Sequence, residues 1–149
     1  MIKGKTLSIR EFESGANRNS SLGKLAYKDF INPLNEYSFA TYMDSKRLLD
    51  DGTYRNGDNW QHGIPQVSLA DSLIRHVKEF ELLHLGFVVI HVVNKSGEKT
   101  FVLNNMDELD DINKKFDTVN IKVISMEDVL NAIRFNSEAY KLQLLGYYK

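Results

Sequence analysis

The 149-residue chain has no cysteine, two prolines and a single tryptophan. The missing cysteine excludes disulfide frameworks, thiolate zinc sites and cysteine nucleophiles, and it is compatible with a reducing compartment. An excess of one charge sign is also missing. Nineteen basic residues stand against twenty acidic ones, for a net charge of −1, which removes the simplest electrostatic case for indiscriminate binding to a nucleic-acid backbone. The first ten residues, Met1 to Arg10, contain no apolar core of a signal peptide, and no later apolar run approaches the roughly 20 residues of a membrane helix. The expectation is a soluble, cytoplasmic protein forming one domain over residues 1–149, long enough to bury a core without disulfides or a structural metal.

What is present begins with a polar arm. Residues Glu13 to Ser21 are too rich in Gly, Ser and Asn to nucleate a buried element. From Pro33, suited to the first turn of a helix, the apolar positions Leu34, Tyr37, Phe39, Ala40, Met43, Leu48 and Leu49 recur near helical spacing until Asp51-Gly52. A loop dense in Gly, Asn and Asp follows, and Trp60 within it is costly to leave in water, so the loop is expected to pack on the helices. Leu69, Leu73, Ile74, Val77, Phe80 and Leu83 then predict a second helix, starting at Gln66 or Ser68 and ending near Gly86.

Beyond Gly86, the only composition shift that suggests a subdomain boundary, the texture becomes β-branched. Phe87 to Val93, a turn at Asn94 to Glu98 and Lys99 to Leu103 read as a hairpin. A short acidic helix from Met106 to Lys115 and a strand from Val119 to Ile124 complete a three-stranded sheet, antiparallel or mixed, covered by a helix. Ser125 is placed to cap a final helix reaching about Leu145, with Glu127 and Asp128 in its first turn. The predicted fold class is α+β.

Several stretches occur in a recognisable order: Ser14 to Asn19, Gly23 to Tyr27, Phe39 to Met43, the segment Asp58-Asn59-Trp60-Gln61-His62-Gly63-Ile64-Pro65, and Ser72 to His76. Over about residues 13–85 this series resembles the N-terminal domain family of phage dATP/dGTP diphosphohydrolases, related to the MazG-like nucleotide pyrophosphohydrolases. Glu127 to Tyr140 is similar to the family's third helix, whereas residues 87–124 look like an insertion where relatives run almost directly into that helix. The resemblance implies a helical MazG-like scaffold interrupted by a small β unit and assembled as a homo-oligomer. It also implies Mg2+-dependent cleavage of a (deoxy)nucleoside triphosphate to monophosphate and pyrophosphate.

That chemistry calls for carboxylates from facing helices to hold Mg2+, because hard cations prefer oxygen ligands. Glu79, Glu127 and Asp128 are the candidate metal ligands. Arg75, His76 and Glu79 share a sector of the second helix and form the candidate catalytic group. Lys24, Arg18, Trp60 and Asn136 are the candidate substrate contacts, the cations facing phosphate oxygens; Arg75 is suited to the same contact. Each has a plainer reading. Glu79 and Glu81 fit an exposed helix face, Glu127 and Asp128 fit helix capping, Arg75 and His76 fit a structural hydrogen-bonded pair, and Trp60 fits a core anchor. His62, His84 and His91 lack metal-ligand spacing and are assigned no site.

The chain departs from the family at two places. Thr41 stands where relatives commonly carry a glutamate, with Asp44 as a substitute, and Lys141-Leu142-Gln143 stands where they often carry His-Glu. Fewer carboxylates point to an alternative in which the chain is a catalytically degenerate phage protein that inhibits a host or anti-phage defence component through residues 87–124. Nucleic-acid binding by Tyr27, Tyr54 and Trp60 beside Lys24, Lys28 and Arg55 is the weakest reading, limited by the balanced charge.

Overall fold

The computed structural model describes residues 9–19, 23–49, 51–61, 63–94, 97–115 and 120–147. Met1 to Ser8, Ser20 and Ser21 of the polar arm, His62, the hairpin-turn residues Lys95 and Ser96, and Val119 lie outside the described residues. The chain divides into two compact units, residues 1–37 and residues 38–149.

In the first unit, β1 (Ile9–Glu11) and β2 (Asn17–Asn19) pair antiparallel, with Arg10 opposite Arg18. Gly15, at φ 87°, donates to the Phe12 carbonyl across the turn that joins them. That left-handed conformation is strained for a residue with a Cβ. The short helix α1 (Tyr27–Phe30) follows. Asn32 Oδ1 accepts from the Leu34 N–H at 2.8 Å, a capping bond that starts α2 (Pro33–Ser45) with proline in its first position. Helix α2 spans the point of division and ends earlier than its apolar spacing predicts. Leu48 instead bridges Tyr54, and Arg47 and Arg55 are tied by two backbone-directed hydrogen bonds, Arg55 N–H to the Arg47 carbonyl at 2.8 Å and Arg47 Nε to the Arg55 carbonyl at 3.0 Å. A tight strand-like turn satisfies the backbone there in place of a further helical turn.

The second unit is built on α3 (Gln66–His84) and α5 (Met126–Leu144), which pack together. Along α5 the buried positions Val129, Ala132, Asn136 and Ala139 fall at spacings of three and four, one stripe of the helix, and its alanines allow close approach. Ser125 Oγ accepts from the Asp128 N–H at 3.1 Å, the expected cap. Ser125→Ala is therefore expected to lower stability by about 1 kcal/mol, read as a shift of the urea midpoint at unchanged slope. Asn131 Nδ2 donates to Ser38 Oγ at 3.0 Å and Arg134 stacks over the Phe39 ring, which docks the later part of α2 on α5.

Strands β3 (Val88–Asn94), β4 (Gly97–Leu103) and β5 (Asn120–Val123) form an antiparallel sheet in the order β4-β3-β5. The central strand is covered on both faces. Ile90 and Val92, with Leu103, pack against Leu109 and Ile112 of α4 (Leu109–Lys115). Val89 and His91 alternate to the opposite face, and β3 packs on α3. The composition shift at Gly86/Phe87 is thus not a boundary between compact units, since residues on both sides belong to the second one. The α+β class stands. Among the described residues, no helix is long and apolar enough to cross a membrane.

Candidate functional site

Two adjoining cavities lie within the second unit, and Tyr42, Lys46 and His76 line both. The larger has a volume of about 440 Å³, within the range of small-molecule sites. Its wall carries four cations, Lys46, Arg47, Arg55 and Arg75, together with Trp60, Phe135, Asn136 and Asn59, and no carboxylate among the described residues. Local structure accounts for this crowding. Tyr42 is in the last turn of α2 and Lys46 follows its end four residues on, the turn there holds Arg47 against Arg55, and Ser72, Arg75 and His76 lie three and four residues apart on one sector of α3. The loop carrying Trp60 is anchored by Gln143 of α5, which donates to the Ile64 carbonyl, and by an edge-on contact of Trp60 with Phe135 at 6.5 Å between ring centroids.

Asn136 is 5% exposed, and its Nδ2 donates to the Ala132 carbonyl at 2.8 Å. Arg75 is exposed and bonds Ser72 Oγ at 3.2 Å, so Arg75 and His76 are not the structural pair that their adjacency suggested. Arg47 shares its charge with Asp44 at 3.1 Å.

The smaller cavity, about 50 Å³, is lined by Tyr42, Lys46, His76, Glu79, His91, Lys122 and Asp128, among others. It has room for a few water molecules. At its centre is Glu79, 5% exposed although it stands on an otherwise amphipathic helix. The exposed-face reading holds for Glu81, which pairs with Lys78, and fails for Glu79. Glu79 Oε1 lies 2.5 Å from His76 Nδ1 and Oε2 lies 3.1 Å from His91 Nε2. Burial pushes the Glu79 carboxyl up, and the hydrogen bonds and charges of His76 and His91 together outweigh it, so the net shift is downward. An ionised carboxylate only accepts, so both imidazoles present N–H to it, which sets the tautomers: Nδ1–H in His76 and Nε2–H in His91. Glu98 Oε1 stands 3.4 Å from the other nitrogen of His91.

The neighbours respond to the same charges. Burial, then Asp128 and Glu79, pushes the Tyr42 hydroxyl up. Loss of solvent, then the nearby Lys122 ammonium, pushes the Lys46 amine down against the pull of Asp128 and Glu98.

Of the residues singled out in the sequence, Arg75, His76, Trp60 and Asn136 meet at the larger cavity, and His76, Glu79 and Asp128 at the smaller. Glu127 is exposed in the first turn of α5 and is not part of either wall. Arg18 and Lys24 are exposed residues of the first unit. Thr41 and Asp44 are exposed on α2. Tyr42, Lys46, Arg47, His91 and Lys122 carry no site expectation in the sequence, and Arg55 appears there only in the nucleic-acid reading. The i, i+4 spacing of Tyr42 and Lys46 was visible there, but nothing marked which face of α2 would be lined.

Mg2+ asks for oxygen ligands in near-octahedral geometry. Both Glu79 oxygens are held by imidazole nitrogens, the Lys46 and Lys122 side chains share the cavity with Asp128, and Glu127 lies outside it. Among the described residues no group of three or more His, Asp or Glu is arranged to hold a metal ion. The Glu79, Glu127 and Asp128 set therefore does not fit Mg2+ as it is arranged. Compared with known proteins, the chain matches no family model, no curated protein and no solved structure.

Proposed function

We propose that this protein binds a nucleoside phosphate in the 440 Å³ cavity. One observation carries the reading: among the described residues, four cationic side chains and no carboxylate line a cavity whose wall also includes Trp60 and Phe135. Guanidinium groups suit phosphate oxygens through paired, charge-assisted hydrogen bonds. An aromatic face suits a base, since stacking is worth roughly 1–3 kcal/mol per base. Asn136 and Asn59 supply polar groups for the base or sugar edge. The series of motifs similar to the MazG-like pyrophosphohydrolases favours a nucleotide over other aromatic anions. The reading is binding rather than cleavage, because cleavage as that resemblance implies it runs through Mg2+ on carboxylates.

Trp60 is the only tryptophan, so tryptophan emission reports on the wall it forms. Titration with a panel of (deoxy)nucleoside triphosphates is expected to change it saturably, and inorganic triphosphate, lacking the base, is expected to bind at least about tenfold more weakly. Pyrophosphate release is followed in the same samples. The absence of a saturable change with every nucleotide up to millimolar concentration, together with no heat of binding, would end the reading.

The alternative, an inhibitor acting through residues 87–124, draws on the same segment in a different way. Here that segment contributes His91 and Lys122 to the smaller cavity. Any partner surface it offers is built on a sheet that the helices need.

A further inference from the structure

We infer that the phosphate chain is taken up free of metal, with the cationic wall neutralising it in place of Mg2+. This inference rests on the nucleotide reading and adds the form in which the nucleotide binds.

The charge arrangement points this way. A free triphosphate carries about four negative charges, and one chelated Mg2+ cancels about two of them. The cavity wall holds Lys46, Arg47, Arg55 and Arg75, of which Arg47 is shared with Asp44 at its exposed edge. Attraction to such a wall grows with the charge of the ligand, so the uncomplexed form gains more from it than the Mg2+ complex does. A divalent cation carried in with the phosphates would instead meet like charges.

Among the described residues that line this cavity, none is a carboxylate. Mg2+ on a phosphate chain is ordinarily bound through one or two carboxylates as well. Of the candidate metal ligands, Glu79 and Asp128 belong to the wall of the neighbouring cavity. Glu79 has both oxygens committed to His76 and His91, and the Lys46 and Lys122 amines stand in the same space as Asp128. The place where a metal would be anchored is occupied by protein cations and hydrogen-bonded imidazoles.

Calorimetric titration of the 149-residue chain with dATP, at constant ionic strength, tests the inference with either excess EDTA or excess Mg2+ in the buffer. The expected result is binding in EDTA that weakens at least about tenfold when Mg2+ sequesters the nucleotide. Arg75→Gln is expected to weaken binding in EDTA by about tenfold and to reduce the difference between the two buffers. Equal affinity in both buffers, tighter binding in Mg2+, or saturable heat from Mg2+ alone would overturn metal-free uptake while leaving nucleotide binding in place. No binding in either buffer would overturn the nucleotide reading itself.

Discussion

Glu79→Ala is expected to lower the unfolding free energy by about 3 kcal/mol at neutral pH, one of the two largest effects of any single substitution considered. The substitution strips two partly buried imidazoles, on α3 and on β3, of their common acceptor. Removing one member of a buried polar or ionic pair costs the desolvation of whatever is left unpaired. It also leaves a void the size of a carboxylate between helix and sheet. Glu79→Gln, which keeps the shape and one acceptor oxygen, is expected to cost less, about 1–2 kcal/mol.

The pH dependence separates the charge from the packing. In the folded protein the Glu79 carboxyl is held below its ordinary value, so the unfolded chain binds more protons across the interval between the two values. The carboxylate's contribution is therefore complete above the ordinary glutamate range, near about 4.3, and is lost as pH falls through the native value. Urea unfolding of the wild type and of Glu79→Gln at pH 7 and in acid should show a gap that narrows on acidification. The absence of a gap at either pH would mean that Glu79 acts by volume alone. The bridging carboxylate would then not be what joins α3 to the sheet.

Ile90→Ala is expected to cost a similar amount, about 3–4 kcal/mol. Ile90 is fully buried and packs with Val92, Leu103, Leu109 and Ile112 between β3 and α4. Losing so much would take up a large part of the 5–15 kcal/mol typical of a domain. The next residue is His91, so loosening β3 also loosens the grip on Glu79, and nucleotide binding is expected to weaken alongside stability. Val102→Ala, on the exposed side of β4, serves as the control and is expected to change stability by about 0.5 kcal/mol or less. Should Ile90→Ala cost under about 1 kcal/mol, the sheet would be separable from the helices. A removable interaction surface over residues 87–124 would then become the better account of that segment.

Much of the fold was legible in the residues. The spacing of Leu69 to Leu83 marked α3, Ser125 marked the start of α5, and the β-branched run from Phe87 to Val93 marked the central strand. These signals are local: a cap, a period of 3.6 and a period of two each leave their trace within a few neighbouring positions. Even the end of α2 failed locally for a legible reason, since Leu48 and Leu49 continued an apolar rhythm while the backbone turned to pair Leu48 with Tyr54.

The site was less legible, and Glu79 shows why. On its helix it looks like one more charged residue, and His91 looks like a solitary histidine in a strand. The chain between them, 12 positions from one to the other, contains a helix end, a turn and a strand start, and only the packing of β3 on α3 brings the imidazole to the carboxylate. Lys46 and Arg47 come from the turn after α2, Arg55 from the loop that follows and Arg75 from α3, and no spacing rule connects all four. The sequence by itself determined the elements, the absence of cysteine chemistry and the presence of an aromatic anchor at Trp60. Tertiary structure alone decided that Glu79 is buried and bound by two histidines, that Glu127 stands apart from Asp128, and that the cations gather on one wall. Burial and charge proximity depend on which faces meet, and that is a property of the packed chain.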